Sequence, residues 1–275
     1  MLRSADALKG FTIQATDGNI GHVKDIYFDD EGWAVRYLVV DTGNWLMGRK
    51  VLITPMFIDK PDWDNKSLKL SITTKQVRDS PDIDTEKPVS RQHEHDYLGY
   101  YGYPIYWGGR GMWGAGIYPG AMIPGHPDHV EAHSTNSEPA RTGSEKYGSD
   151  RNHKDDSHLR SAKAVTGYHI EASDGEIGHL SDMLVDDETW AIRYLIVDTS
   201  NWWLGHKVLI SPLWIETIHW VESLIKVNLS REAIQKSAPY EDAFAVDRHR
   251  EIELHQNYDR VGYWEREEND EEFDA

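Results

Sequence analysis

Two short acidic runs are the first residues whose types suggest chemistry. Asp29-Asp30-Glu31 and Asp186-Asp187-Glu188 each place three carboxylates in one turn. Clustered carboxylate oxygens are the ligands that a hard divalent cation prefers, but the spacing is not that of an EF-hand loop. Aspartate also favours the backbone dihedrals of turns. We therefore interpret both runs as solvated hairpin turns and predict no metal site.

Histidine is the second residue type that suggests chemistry. His22 and His179 each follow a glycine in the same sequence context, and imidazole titrates near neutral pH. They are either proton relays or strand histidines on a partly exposed face, and we favour the second. A further set has the side chains of a transition-metal site: His93, His95, His126, His129 and His133. We expect only adventitious binding there.

Tryptophan marks a candidate interaction surface, because this residue is enriched in interface hot spots. The candidate residues lie in two related loops: Asn44, Trp45, Asn201, Trp202 and Trp203. We predict that Trp45 and Trp202 plug the end of a barrel and that Trp203 is exposed. Asp41 and Asp198 precede the loops and are expected to hydrogen-bond to loop amides.

Signatures of catalysis are missing from the sequence. It contains no G-x-S-x-G nucleophile turn, no H-E-x-x-H motif and no glycine-rich phosphate loop. We predict no catalytic residue, no cofactor and no enzymatic activity. The chain is expected to bind or to scaffold.

These residues recur because the chain is duplicated. Residues 3–107 return at 160–264 with a constant offset of 157, and 29 of the 49 pairs between Gly10–Ile58 and Gly167–Ile215 are identical. A unit this long is a duplicated domain, because solenoid repeats are about 20–50 residues long.

Short strands must position the candidate residues. Turn residues separate β-branched and aromatic runs, which predicts six strands per copy and a small closed barrel. In the first copy the predicted strands are Ala7–Ala15, Asn19–Phe28, Trp33–Asp41, a strand ending at Pro55, Met56–Asp59 and Ser67–Ile72, with a tight turn at Asp17-Gly18.

Helical segments follow each set of strands. Thr73–Ser80 begins with a capping box, in which Thr73 is the N-cap and Gln76 lies three residues on. Longer helices are predicted at Ser90–Tyr101 and Asp247–Tyr258. Each precedes a Tyr-Trp pair, Tyr106-Trp107 or Tyr263-Trp264, which we expect to pack on the barrel or against a partner.

Composition limits the class of partner. The formal net charge is −18, and the last eleven residues contribute seven acidic side chains. An acidic surface repels phosphate, so we expect no nucleic-acid binding. The chain has no cysteine and no run of about 18 apolar residues. We expect no membrane span and a cytoplasmic location.

The domain organisation follows from the repeat. We predict a first barrel at 1–84, its trailing helix and Tyr-Trp segment at 85–107, and a flexible linker at 108–159. A second barrel at 160–240, its trailing segment at 241–264 and a disordered acidic tail at 265–275 complete the chain. Whether the linker aromatics dock on a barrel stays open.

The strings "VVDTGNWLMGRKVLITP" (Val39–Pro55) and "IVDTSNWWLGHKVLISP" (Ile196–Pro212) resemble the PRC-barrel domain. The family is named for the cytoplasmic domain of the photosynthetic reaction-centre H subunit, and the resemblance covers about Arg3–Ser80 and Arg160–Ser237. It implies an all-β fold: two small six-stranded PRC-type β-barrels, each followed by short helices, joined by a flexible linker.

The resemblance also implies a function. Barrels of this family act as protein–protein contact modules, so we expect a non-catalytic adaptor with a protein partner. Intramolecular pairing of the barrels or a homodimer is expected as well. Two alternatives rest on family analogy. One is an accessory of photosynthetic or other membrane electron-transfer complexes, as for the H subunit, and the other is ribosome assembly, as for the related barrel of a ribosome-maturation factor.

Overall fold

A computed structural model describes residues 1–46, 48–81, 88–107, 111–114, 116, 118–122, 158–199, 206–241 and 246–265. Three of the predicted surface residues, Asn201, Trp202 and Trp203, lie outside the described residues. So do His126, His129, His133 and most of the predicted linker and tail. The chain forms two compact units. The amino-terminal unit comprises Arg3–Val165 and Val185–Ile192, and the carboxy-terminal unit comprises Met1–Leu2, Thr166–Leu184 and Arg193–Ala275.

The fold is mostly β. The strands are β1 (Leu2–Ser4), β2 (Thr12–Ala15), β3 (Gly18–Asp29), β4 (Ala34–Asp41), β5 (Lys50–Ile53), β6 (Ile58–Asp62), β7 (Ser67–Leu70), β8 (Leu159–Ser161), β9 (His169–Ala172), β10 (Gly175–Asp186), β11 (Ile192–Asp198), β12 (Lys207–Ile210), β13 (Ile215–His219) and β14 (Leu224–Val227). The α-helices are α1 (Thr74–Asp79), α2 (Arg91–Tyr101), α3 (Ala162–Val165), α4 (Arg231–Lys236) and α5 (Arg248–Asn257).

The strands form two seven-stranded sheets. One has the order β5-β4-β3-β2-β7-β6 with β8 added at β3, and the other has the order β12-β11-β10-β9-β14-β13 with β1 added at β10. The strand order of the two repeats is therefore the same. One neighbouring pair in each sheet is parallel, β2 with β7 and β9 with β14. The antiparallel pairs include β2-β3, β3-β4, β4-β5 and β6-β7 in the first sheet and β9-β10, β11-β12 and β13-β14 in the second.

The predicted first strand was wrong over its first half. Asp6–Leu8 forms a 3₁₀ helix, and only Thr12–Ala15 is extended. The prediction of six strands was also one short, because Leu159–Ser161 adds a seventh strand to the amino-terminal sheet, with Tyr27 opposite Ser161. A three-residue strand is too short to show the period-two alternation that identifies strands in a sequence.

Two glycines that recur at the same position explain the "IG" in each repeat. Gly21 has a φ of 152°, and a Cβ there would lie 2.0 Å from the carbonyl oxygen of Asp41. Gly178 has a φ of 147°, and a Cβ would lie 2.0 Å from the Asp198 oxygen. Only glycine allows this backbone approach. These positions fix where β3 meets the end of β4 and where β10 meets the end of β11.

The short helices are held by side chains from the first hairpin. The capping box at Thr73 and Gln76 is confirmed. Asp17, in the turn between β2 and β3, also accepts a 2.7 Å hydrogen bond from the Thr74 amide. In the carboxy-terminal unit Asp174 accepts the equivalent bond from the Arg231 amide at 2.8 Å. The Asp-Gly sequence therefore both turns the hairpin and anchors the helix.

The predicted longer helices are confirmed, with Ser90 and Asp247 as N-caps. Helix α2 packs on the sheet of the amino-terminal unit, where the Tyr97 hydroxyl donates to the Leu52 carbonyl at 2.6 Å. Its ring lies 5.6 Å from the ring of Tyr37 on β4. Among the described residues, no helix is both long enough and apolar enough to cross a membrane.

Candidate interaction surface

The loop after β4 presents two of the predicted surface residues. Gly43–Leu46 forms a 3₁₀ turn that exposes Asn44 and leaves Trp45 half-buried. The Asp41 carboxylate accepts a 2.9 Å hydrogen bond from the Gly43 amide, as predicted. The Gly48 amide donates to the Gly43 carbonyl at 2.7 Å. These bonds hold the loop around the half-buried Trp45 in a fixed shape.

Trp45 lines an open depression in the amino-terminal unit. The other walls come from the start of β3, including Asn19 and His22, and from the end of β4 at Asp41. The Arg78 guanidinium lies 5.8 Å from the centre of the Trp45 ring, which is within the range of a weak cation–π contact. The depression therefore combines an aromatic face, a carboxylate and a histidine around one loop.

His22 itself is exposed on β3, as predicted for a strand histidine. Its Nδ1 lies 3.4 Å from the Thr12 hydroxyl. Gly21 brings the backbone of β3 against Asp41, so the imidazole and the Asp41 carboxylate line the same depression.

The acidic turn Asp29-Asp30-Glu31 is not the solvated hairpin turn that we predicted, because each of its three carboxylates lies beside a different arginine. The Asp29 side chain is 4% exposed and pairs with Arg36 at 2.5 Å. Asp30 accepts a 2.8 Å hydrogen bond from Arg160 of β8. Only Glu31 is largely exposed, 4.0 Å from Arg91. The turn therefore holds elements together, and its carboxylates do not converge on one point.

Asp29 is the most strongly held carboxylate of the turn. Its Oδ1 accepts hydrogen bonds from the Glu31 and Gly32 amides at 2.9 and 2.7 Å, and its Oδ2 accepts from Arg36. Burial raises the pKa of this carboxyl, but the Arg36 charge and the amide donors outweigh burial and lower the pKa below its ordinary value. Asp29 therefore stays ionised inside the protein.

A buried cluster of arginine, glutamate and tyrosine lies next to this pair. The Arg36 guanidinium lies 4.0 Å from the centre of the Tyr106 ring. The Tyr106 hydroxyl donates to the Glu94 carboxylate at 2.6 Å. Arg91 lies 3.6 Å from Glu94 and stacks 4.4 Å from the ring of Trp107. Helix α2 and the Tyr-Trp pair are therefore fixed to β4 by charge.

The carboxy-terminal unit repeats the cluster with its own residues. Arg193 lies 3.9 Å from the Tyr263 ring, and the Tyr263 hydroxyl donates to Glu251 at 2.8 Å. Arg248 pairs with Glu251 at 3.1 Å and stacks 4.4 Å from Trp264. The corresponding distances in the two units agree to about half an ångström or better, so the arrangement belongs to the domain itself.

The clusters act as structural anchors rather than as acid–base groups. Burial, followed by the nearby Glu94 charge, raises the pKa of Tyr106 well above its ordinary value, so its hydroxyl stays a donor. Burial also raises the pKa of Glu251, against the hydrogen bonds from Tyr263 and Tyr194. No described group in either cluster opens onto the depression at Trp45.

The amino-terminal cluster has two further members from outside the repeat. His158 Nε2 lies 2.5 Å from Glu94 and fixes the start of β8. Trp113 is fully buried, 4.7 Å from Arg36, and its indole N–H donates to the Thr189 carbonyl at 2.8 Å. This answers the question left open for the linker aromatics, because Trp113 docks on the amino-terminal unit.

Sequence reasoning singled out the Tyr-Trp pairs and missed their arginine and glutamate partners. The signal was present in the repeat. At the offset of 157, the second copy has the same residue types as Arg36, Arg91 and Glu94, namely Arg193, Arg248 and Glu251. It was hidden because these side chains come from a strand and a helix about 55 residues apart. Among the described residues, no group of three or more histidine and acidic side chains is placed to hold a metal ion.

Comparison with known proteins supports the resemblance for one repeat. Residues 2–64 match the family model of the PRC-barrel domain. A PRC-barrel domain is therefore present in the first repeat, and it carries both Asn44 and Trp45. A search of curated proteins gave no match.

Proposed function

We propose that the protein is a non-catalytic adaptor, built from two closed PRC-type barrels, that binds a protein partner through the loop surface at Asn44 and Trp45. The observation that carries this proposal is a half-buried tryptophan on a hydrogen-bonded loop, where it lines an open depression. Large aromatic side chains on rigid supports lose little entropy on binding and dominate interface energies. The PRC-barrel match supports an interaction role.

The second repeat is proposed to contribute a related surface through Asn201, Trp202 and Trp203. Its support is that Asn201 and Trp202 are identical to Asn44 and Trp45 of the first repeat, while Trp203 stands in the position of Leu46. The net charge of −18 favours a protein partner over a nucleic acid, because phosphate would be repelled. The absence of cysteine is compatible with a reducing compartment, and the cytoplasm is the location that we propose.

The test is crosslinking affinity purification from the native lysate with the full-length chain as bait. We expect one dominant partner whose recovery falls at least tenfold with Trp45→Ala or Trp203→Ala. The matched control is Trp63→Ala, because Trp63 is half-buried in the same unit and packs 5.2 Å from the Phe11 ring. Equal recovery by all baits, or recovery of the protein with itself alone, contradicts the proposal.

A further inference from the structure

The edge of the depression at Trp45 carries positive charge on a protein whose net charge is −18. Lys24 Nζ lies 3.8 Å from Asp41 Oδ2. Lys50 lies opposite Asp41 in the pairing of β4 with β5, and His22 lies opposite Asp41 in the pairing of β3 with β4. Side chains that are directly opposite in antiparallel strands lie on the same face of the sheet. Two lysines and a histidine therefore surround one carboxylate.

Arg78 adds a further cation beside the indole. It is exposed on α1, and its guanidinium lies 5.8 Å from the centre of the Trp45 ring. The two carboxylates near Arg78 already have other partners, because Asp17 accepts a hydrogen bond from an α1 amide and Asp79 pairs with Lys75 at 2.7 Å. We call the three cations at this edge the basic rim: Lys24, Lys50 and Arg78.

The basic rim is a feature of the first repeat. At the offset of 157, Ser181 stands in the position of Lys24 and Gln235 in the position of Arg78. Of the three cations, only Lys50 has a lysine as its counterpart. Both repeats nevertheless have the same strand order. The fold therefore does not require these charges, and a role in binding accounts for them.

We infer that the partner segment that binds beside Trp45 is acidic and carries one aromatic side chain. This inference rests on the proposed adaptor function and names the chemistry of its partner. Asp41 neutralises one charge of the basic rim, which leaves two for carboxylates of the partner. The aromatic side chain packs on the indole, because aromatic residues dominate interface energies, while complementary charge steers the encounter and sets the specificity.

A short acidic segment fits this surface better than a nucleic acid does. Charges separated by more than about 8 Å are largely screened at physiological ionic strength, so a short segment interacts mainly with the basic rim. A nucleic acid extends beyond the rim over a protein with a net charge of −18, which repels its phosphates.

The test is the fluorescence anisotropy of a labelled peptide in which three glutamates lie on each side of one phenylalanine, titrated with full-length protein. We expect saturable binding that Lys24→Glu and Lys50→Glu each weaken about tenfold, because each reversal replaces attraction by repulsion. A peptide with glutamine in place of every glutamate is expected not to bind. Sodium chloride is expected to weaken the binding of the acidic peptide.

The matched control is Lys66→Glu. Lys66 is an exposed lysine in the turn between β6 and β7 of the same unit, so this variant changes the net charge by the same amount away from the basic rim. We expect it to change the affinity less than about twofold.

Four results overturn the inference. Two of them are the absence of saturable binding and equal affinity of the charge variants and the wild type. The third is tighter binding of a ten-residue oligothymidylate than of the peptide, which would assign the basic rim to nucleic acid. The fourth is a mass that increases with protein concentration and that Lys24→Glu reduces, which would assign the rim to a second copy of the chain.

The same variants also separate this inference from the adaptor proposal when they serve as baits in the affinity purification. Loss of the partner with Trp45→Ala, with full recovery by Lys24→Glu and Lys50→Glu, would leave the adaptor proposal standing and reject the acidic segment. Full recovery by all three variants would reject both.

Discussion

Arg36 and Arg193 show how single residues anchor each domain. Each guanidinium lies on a tyrosine ring at about the same distance, 4.0 and 3.9 Å, and that tyrosine donates to a buried glutamate. Arginine suits this position because its flat charged group stacks on an aromatic ring while its N–H groups bind carboxylates. The ammonium group of lysine is not flat and lacks the paired N–H groups of arginine, so it cannot stack and bind a carboxylate in this way.

Replacing Arg36 should destabilise the amino-terminal unit strongly. Arg36→Met leaves the Asp29 carboxylate buried without its cation, and breaking a buried pair in this way costs about 3–5 kcal/mol. The measurement is the midpoint of urea unfolding of the full-length chain. Lys75→Met, which breaks the exposed pair with Asp79, should leave the midpoint unchanged. A loss below about 1 kcal/mol for Arg36→Met would contradict the buried pair.

Two buried carboxyls should give opposite responses to acid. The pKa of Asp29 is lowered in the folded protein, so its contribution to stability is present above the unfolded pKa and is lost as pH falls through the folded value, below 3.8. The pKa of Glu251 is raised above 4.5. Its contribution is present below the unfolded pKa and is lost as pH rises through the folded value.

For the variant Glu251→Gln, the free energy of unfolding relative to the wild type should rise as pH increases from 4.5 toward neutrality, because the buried glutamate ionises there and glutamine cannot. For Asp29→Asn, the deficit relative to the wild type should shrink as pH falls below 3.8. Thermal unfolding between pH 3 and pH 7 measures both. If the free energies of unfolding of Glu251→Gln and the wild type depended on pH in the same way, the pKa of Glu251 would be the same in the folded and unfolded protein.

At the scale of elements, the close approach at Gly21 should tolerate no side chain. Gly21→Ala places a Cβ 2.0 Å from the Asp41 carbonyl at a φ of 152°, so we expect a loss of at least about 2 kcal/mol. Gly99→Ala is the control, because that glycine lies in helix α2 with open space around it and should gain about 0.5–1 kcal/mol. Equal unfolding midpoints for the two variants would refute the close approach.

The segment that follows the first repeat should depend on one buried ring. Trp113→Ala removes a fully buried indole, which we expect to cost about 3–5 kcal/mol in the amino-terminal unit. Hydrogen exchange should accelerate in β4 and α2 while the carboxy-terminal unit stays protected. Tyr118→Ala, at a side chain that is 44% exposed, should change neither unit. Faster exchange in both units would argue against a local role for Trp113.

The elements with local signals were predicted and those defined by distant contacts were not. The capping box at Thr73 was read from four consecutive residues, and the helices at Ser90–Tyr101 and Asp247–Tyr258 were predicted from short stretches of sequence. The strand Leu159–Ser161 is defined only by its pairing with β3, about 130 residues away. The 3₁₀ helix at Asp6–Leu8 was predicted as strand because its apolar residues fit both periodicities.

The same limit applies to the candidate surface. Asn44 and Trp45 were predicted because a loop tryptophan is visible in the sequence. The depression beside them was not, because Gly21 and the ends of β3 and β4 come together only in the folded sheet. Asp29 was interpreted as solvated for the same reason, since its partner Arg36 lies across the turn on β4.

For the molecule as a whole, duplication separates what the domain requires from what each copy has added. The glycine approaches, the helix anchors at Asp17 and Asp174 and the buried arginine clusters occur in both units. Among the residues that the structure describes, the buried Trp113 belongs to the amino-terminal unit and the exposed Leu213 to the carboxy-terminal unit. Shared features account for stability, and the differences are where binding specificity is expected.

The most direct test of the adaptor account is site-specific photo-crosslinking in the native cell. A photoreactive phenylalanine analogue at position 44, where Asn44 is exposed beside Trp45, is compared with the same analogue at Asp64, an exposed turn residue of the same unit. The account predicts a crosslink to one protein from position 44 and none from position 64. No crosslink from position 44, or the same products from both positions, would contradict it.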